Sequence, residues 1–241
     1  MHKDKQMRHL LLITFFIISF TLFGQKKGTT FGIQIKPIVP VDYFDAGPFS
    51  ISDSIVEINV NPKLGFSFGM MIRHRFSKSF ALETGISSVK RNYAVTAKSL
   101  MSNKEDYTDF SFVGYQIPIQ GLIYIQLSEQ IFMNTTAGIG IDMYPSSIFT
   151  TGENFFLNNL TTRQRWPNFS LLANLGFEYR TLEKGTFYIG GSFNRPFSPI
   201  ALSSFSYIYD GNKTTQLQTF LNGNYITLDL RFFFPEKVEK K

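Results

Sequence analysis

The chain has 241 residues, 43% hydrophobic and 16% aromatic, with 24 Lys+Arg against 18 Asp+Glu and no cysteine. The missing cysteine excludes disulfides, thiolate metal sites, a cysteine nucleophile and a lipid-modified cysteine. Setting aside residues 1–24 leaves 21 positive and 17 negative side chains, an excess too weak to point to nucleic acid.

Lys3, Lys5 and Arg8 precede an apolar run from Leu10 to Phe23, followed by Gly24 and Gln25. The run is 14 residues long, short of the roughly 20 that a spanning helix needs. Residues 1–24 are therefore expected to be a signal peptide. Downstream, short apolar runs separated by turn-rich segments predict eight strands, at about 29–37, 63–76, 79–93, 109–127, 130–144, 167–180, 185–196 and 217–234. Tight turns join strands two to three (Ser77-Lys78-Ser79), four to five (Ser128-Glu129-Gln130) and six to seven (Thr181 to Gly185). The other connections, roughly 38–62, 94–108, 145–166 and 197–216, are long and polar. Strict alternation of short turns and long loops is the pattern of an outer-membrane barrel with both termini in the periplasm and long loops outside the cell.

Side-chain parity agrees, because successive residues of a strand point to opposite faces. At the end of the chain Ile226, Leu228, Leu230, Phe232 and Phe234 share one face, while Thr227, Asp229 and Arg231 share the other. Leu64, Phe66, Phe68, Met70 and Ile72 likewise oppose Gly65, Ser67, Gly69, Arg73 and Arg75. The strands at 109–127, 130–144 and 167–180 obey the same rule. The strand at 79–93 fits least well, since Phe80, Leu82 and Ile86 share a face with Thr84, Ser88 and Lys90. A bulge there, or exit from the bilayer beyond Ser88, is expected. Phe76, Phe80, Phe177, Tyr179, Phe187, Phe232 and Phe234 near the short turns, with Tyr115, Tyr144, Trp166 and Phe193 near the long loops, would form two interfacial girdles. The expected fold is an all-β, eight-stranded antiparallel up-and-down transmembrane β-barrel. It would occupy residues 25–234, with 235–241 as a short charged periplasmic tail.

Tyr115-Gln116-Ile117-Pro118-Ile119-Gln120, Ala137-Gly138-Ile139-Gly140, Gly191-Ser192-Phe193-Asn194-Arg195-Pro196-Phe197 and the closing Leu228 to Phe234 carry a resemblance. Together they resemble the outer-membrane β-barrel domain family of Bacteroidetes, which includes PorT-type proteins, on an eight-stranded barrel of the OmpA/OmpX kind. The resemblance implies residence in the outer membrane and, for PorT-type members, a link to protein secretion across it. The tail after Phe234 departs from the usual ending on the last aromatic residue. Tyr225, Leu230, Phe232 and Phe234 are nonetheless the expected signal for the barrel-assembly machinery.

The face opposite the apolar set carries Lys36, Arg73, Arg75, Glu83, Arg91, Asp142, Glu178, Arg180, Asp229 and Arg231. An eight-stranded barrel is only wide enough for side chains to fill. These ten are expected to form a mutually neutralising network, because unpaired buried charge is very costly. No catalytic, metal-binding or cofactor-binding constellation is expected. His74 is the one histidine beyond residue 24; its parity puts it on the lipid-facing side near a short turn, with no base or nucleophile beside it on that face. The pairs Asp42/Asp45 and Glu105/Asp106 read as solvated loop acids, with no EF-hand spacing. The expected role is non-enzymatic: an accessory or scaffold of an outer-membrane assembly such as protein secretion. A surface binding module using the long loops is the alternative, ahead of an enzyme acting on lipid A. Expected partners are outer-membrane lipid, the barrel-assembly machinery and other envelope proteins.

Overall fold

A computed structural model describes residues 28–235 apart from 182 and 212. The predicted signal peptide and the tail beyond Pro235 lie outside the described residues. Among the described residues thirteen strands follow one another: β1 (Thr29–Val39), β2 (Phe49–Ser52), β3 (Val56–Arg75), β4 (Phe80–Ser99), β5 (Glu105–Gln126), β6 (Ile131–Met143), β7 (Ile148–Thr151), β8 (Leu157–Arg163), β9 (Pro167–Thr181), β10 (Gly185–Pro196), β11 (Ala201–Asp210), β12 (Lys213–Leu221) and β13 (Tyr225–Phe233).

Eight of them close a ring. β1 pairs with β13 on one side and with β3 on the other, and the circuit runs β3-β4-β5-β6-β9-β10-β13, with antiparallel pairing at each step. These are the eight predicted strands, but β3, β4 and β5 run well beyond their predicted ends, and residues 217–221 belong to β12, so that the last ring strand begins at Tyr225. The outer wall carries the apolar parity set. Phe68 and Met70 are 51% and 62% exposed while Ser67 and Arg73, one position out of phase, are 3% exposed. Closure removes every free edge from this part of the sheet. Pro118 faces the lumen in mid-strand, and the β4–β5 pairing is interrupted between Thr84↔Ile119 and Ser87↔Gln116, where a proline has no N–H to offer. On the inner wall Gly176 and Gly190 flank the Tyr188 ring, and a Cβ at either position would run into its hydroxyl.

β3, β4 and β5 are 20, 20 and 22 residues long, about twice the 9–11 that a membrane strand needs. Their far halves leave the ring and form a sheet with β2, facing a second sheet of order β12-β11-β8-β7. The predicted loops are thus largely strands. The 94–108 segment is mostly a continuation of β4 and β5, and 145–166 and 197–216 supply β7, β8, β11 and the start of β12. Between the two sheets lies an apolar core including Val56, Ile58, Val95, Phe110, Phe112, Leu157, Phe205 and Tyr207. Tyr144, expected in an interfacial girdle, is buried in this core, its ring centroid 5.1 Å from that of Phe112.

The expected irregularity of the 79–93 strand sits on its neighbour. β4 keeps one parity throughout, but β3 carries a bulge where Lys63↔Asn92 gives way to Phe66↔Lys90. Below it the even residues Phe66 to Ile72 face outward; above it the even residues Val56, Ile58 and Val60 face inward. One extra residue re-aims the strand as it passes from barrel to sandwich.

Candidate functional site

The ring brings seven of the ten predicted lumen charges into one chain of ion pairs. Arg180 Nη2 meets Glu178 Oε2 at 2.9 Å, and Glu178 Oε1 takes Arg73 Nη1 from the opposite wall at 2.6 Å. Arg73 Nη2 continues to Glu83 Oε2 at 2.9 Å, and Glu83 Oε1 accepts from Arg231 Nη1 at 2.8 Å. Arg231 Nη2 and Lys36 Nζ both reach Asp229 Oδ2, the latter at 3.2 Å. Cation and anion alternate along the whole series, drawn from β9, β3, β4, β13 and β1. Each carboxylate therefore lies between positive partners, the arrangement that makes buried charge tolerable.

Neutral side chains complete the ladder. Asn134 Nδ2 donates to Glu178 Oε1 at 2.6 Å, and Ser192, Thr227 and Asn174 all donate to Asp229. Tyr188 donates its hydroxyl proton to Asn174 Oδ1 at 2.6 Å. Aromatic rings cover the guanidinium faces: Phe233 lies 3.7 Å from Arg73, and Phe132 lies 3.8 Å from Arg180. The asparagines and Tyr188 were absent from the predicted network because parity marks them only as inward-facing. Above the ladder the lumen keeps a cavity of about 20 Å³, lined in part by Gln34, Ser87 and Gln120, room for about one water. The arrangement braces opposite walls and fills the bore.

The other three predicted charges lie apart from the ladder. Arg75 is half-buried at the short-turn rim. Arg91 and Asp142 form a separate layer where barrel meets sandwich. The Arg91 guanidinium sits over the ring of Tyr225, 4.7 Å from its centroid, and over that of Tyr144 at 5.8 Å, and Asp142 Oδ1 accepts from Gln116 Nε2 at 2.7 Å. Of the residues read as an assembly signal, Leu230, Phe232 and Phe234 lie on the outer wall, where Phe232 contacts Phe187 and Phe234 at centroid distances of 5.0 and 5.3 Å. Tyr225 is buried, on the opposite parity and at the other end of β13. His74 lies at the short-turn end of the outer wall, hydrogen-bonded to Thr29 Oγ1 at 2.8 Å and edge-on to Phe76.

One loop acid is not solvated. Asp106 is 1% exposed, and its carboxylate accepts from the backbone N–H groups of Asn154, Phe156 and Leu157, each at 2.8 Å. It holds the β7–β8 turn, in which Phe155 adopts a φ of 62°, a conformation costly for a bulky side chain. Glu153 N to Tyr107 O at 3.0 Å and Asn154 Nδ2 to Glu105 O at 3.0 Å complete this seam between the two sheets. The opposite side of the sandwich is open. There a cavity of about 690 Å³ lies between β2, the β1–β2 connection and β12, with Arg91, Tyr93 and Tyr225 among its lining residues.

The crystal structure of the outer membrane protein OprG from Pseudomonas aeruginosa is similar in fold, with a TM-score of 0.52 at 12% identity, covering 88% of this chain and 99% of that one. The transport unit of the autotransporter AIDA-I from Escherichia coli aligns over 89% of this chain and 92% of its own, at 10% identity and a TM-score of 0.26, too low to bear on the fold. No curated protein matches the sequence. A family model described as an outer membrane protein beta-barrel domain matches residues 26–202, the segment that holds seven of the eight ring strands and most of the ion-pair ladder. The chain belongs to the outer membrane protein beta-barrel domain family.

Proposed function

We propose that this protein is a non-enzymatic accessory or scaffold of an outer-membrane assembly, with both termini in the periplasm and the sandwich outside the cell. The observation that carries the reading is the seven-membered ladder from Arg180 to Lys36, which fills the bore. A barrel occupied in this way leaves its two ends to do the work, as surfaces for binding. The PorT-like resemblance makes protein secretion the assembly of first choice, with lipid, the barrel-assembly machinery and other envelope proteins as partners.

A tagged-protein pull-down from outer membranes in mild detergent tests the reading, with the heat-induced gel shift of the folded barrel recorded on the same sample. Stoichiometric recovery of secretion or assembly components is the expected result. A solitary, heat-modifiable barrel would count against it. Unchanged lipid A mass spectra in a knockout are expected for a non-enzyme.

A second reading, a surface receptor or adhesin, draws support from the braced sandwich, which displays Leu100, Met101, Phe149 and Phe155 to solvent. Removing residues 147–163, the β7–β8 hairpin, without loss of any binding phenotype would dispose of it.

A further inference from the structure

The two sides of the sandwich are closed unequally. On the β5–β7 side the Asp106 seam joins the sheets through three backbone N–H groups. On the other side β2 and β12 are the terminal strands of their sheets and do not pair with each other. Thr215 Oγ1 donates to Asp53 Oδ2 at 2.6 Å across the top of this gap, and Asn224 Nδ2 donates to Phe44 O at 2.8 Å near its base. Between these two ties lies the 690 Å³ cavity, a volume within the range of small-molecule sites.

Its lining is divided by chemistry. Phe49, Ile51 and Leu221 give apolar walls, and Arg91 borders it from the barrel side. Arg91 is 4% exposed, and its buried Nε and Nη1 have no hydrogen-bond partner among the described residues. Every other cation of the predicted lumen set that is drawn into the ladder bonds a carboxylate directly. Arg91 takes part in none of the ion pairs among the described residues. Asp142 gives one oxygen to Gln116 and leaves Oδ2 unpartnered, so it is not spent on Arg91. A buried guanidinium with unmet donors is costly, and its planar fork matches an oxyanion. Asp42 and Asp45 also line the cavity, and both are exposed. Their charge opposes polyanions.

We propose that this side cavity binds a small organic monoanion, a carboxylate on an aromatic or short acyl body, with the carboxylate directed to Arg91 and the apolar body against Phe49, Ile51 and Leu221. The site is independent of the scaffold role and stands or falls separately from it.

The test uses the full chain in lipid nanodiscs, with empty nanodiscs as the blank, and ligand-observed NMR titration of three probes: 4-methylbenzoate, its neutral isostere 4-methylbenzamide, and phenyl phosphate. Saturable 4-methylbenzoate binding above the blank is expected, with the amide weaker by about tenfold or more, as loss of a charged hydrogen bond implies. Phenyl phosphate is expected to bind more weakly than the carboxylate. Arg91→Gln should bring the carboxylate down to the affinity of the amide. Thr219→Trp, which fills the cavity from the β12 edge while leaving Arg91 in place, should abolish binding of both, with the heat-induced gel shift unchanged. Equal binding of carboxylate and amide, undiminished binding in Thr219→Trp, or no saturation above empty nanodiscs would each overturn the proposal. Should Arg91→Gln fail to fold, the amide comparison and Thr219→Trp still decide it.

Discussion

β4 and β5 run through two environments, and their side chains exchange roles between them. In the barrel the inward residues are polar, as at Glu83, Ser87, Gln116 and Gln120, and the outward ones apolar, as at Leu82, Ile86, Ile119 and Ile123. In the sandwich the inward residues are Val95, Ala97, Phe110 and Phe112, while Asn92, Thr96 and Ser111 face out. The outer wall of the barrel meets hydrocarbon and needs no water-compatible surface, so the polar groups turn inward and pair there. The outer wall of the sandwich meets water, so the apolar groups turn inward and pack. A strand can serve both solvents without changing its backbone, provided the polarity of its two faces inverts at the boundary.

Substitutions at matched positions in the two halves test this inversion. The largest effect is expected from Glu83→Ala, which strips the central carboxylate from Arg73 and Arg231 and leaves two guanidinium groups uncompensated. Urea unfolding in detergent micelles should show a loss of about 3–5 kcal/mol. An unchanged midpoint would mean that water reaches the ladder freely. Phe112→Ala removes a fully buried ring of the sandwich core and should cost about 3–5 kcal/mol there. Hydrogen exchange should rise in β7, β8, β11 and β12 while β6, β9 and β10 stay protected; a uniform rise would mean that the two halves unfold as one unit.

Arginine placed on the two outer walls gives a direct contrast. Ile119→Arg, on the barrel wall, should destabilise by about 2–4 kcal/mol if it lies near the bilayer midplane. Thr96→Arg, on the outer wall of the sandwich, should fall within about 0.5 kcal/mol of the parent in the same assay. Similar values would erase the distinction between the two solvents.

The smallest effect concerns the tie at the open side. Burial pushes the Asp53 carboxyl up, but hydrogen bonds from Thr215 Oγ1 and the backbone N–H groups of Val56 and Ile55 outweigh it and hold the group below its ordinary 3.8. A depressed folded value stabilises above the unfolded one, so this tie is complete above about pH 3.8 and is lost as pH falls below it. Asp53→Asn should flatten the acid-side rise in hydrogen exchange of β12. An unchanged acid profile in the variant would remove Asp53 as its source.

How much was legible in the sequence follows the range of each interaction. Alternation from Leu64 to Ile72 and from Ile226 to Phe234 marks strand, face and solvent at once, because parity is a local property of the backbone. The segment Tyr93-Ala94-Val95-Thr96-Ala97-Lys98 alternates just as clearly. Beyond Tyr93 it reads as loop because the barrel pattern assigns length at that end to loops, whereas an inverted pattern marks a strand that has left the membrane. Tyr144 read as girdle for the same reason. Asp106 reads as solvated because three of its four backbone donors lie about fifty residues away, at Asn154, Phe156 and Leu157.

By itself, then, the sequence determined the all-β fold, the number of ring strands and which side chains face inward, all of which follow from a two-residue period and the spacing of turns. Only the tertiary structure decided that Arg73 meets Glu178, that Arg91 has no ion pair among the described residues, and that the sandwich is sewn on one side and open on the other. Those outcomes depend on which strands oppose one another across the ring and between the sheets. Such distances arise from closure of the whole chain, and no local pattern encodes them.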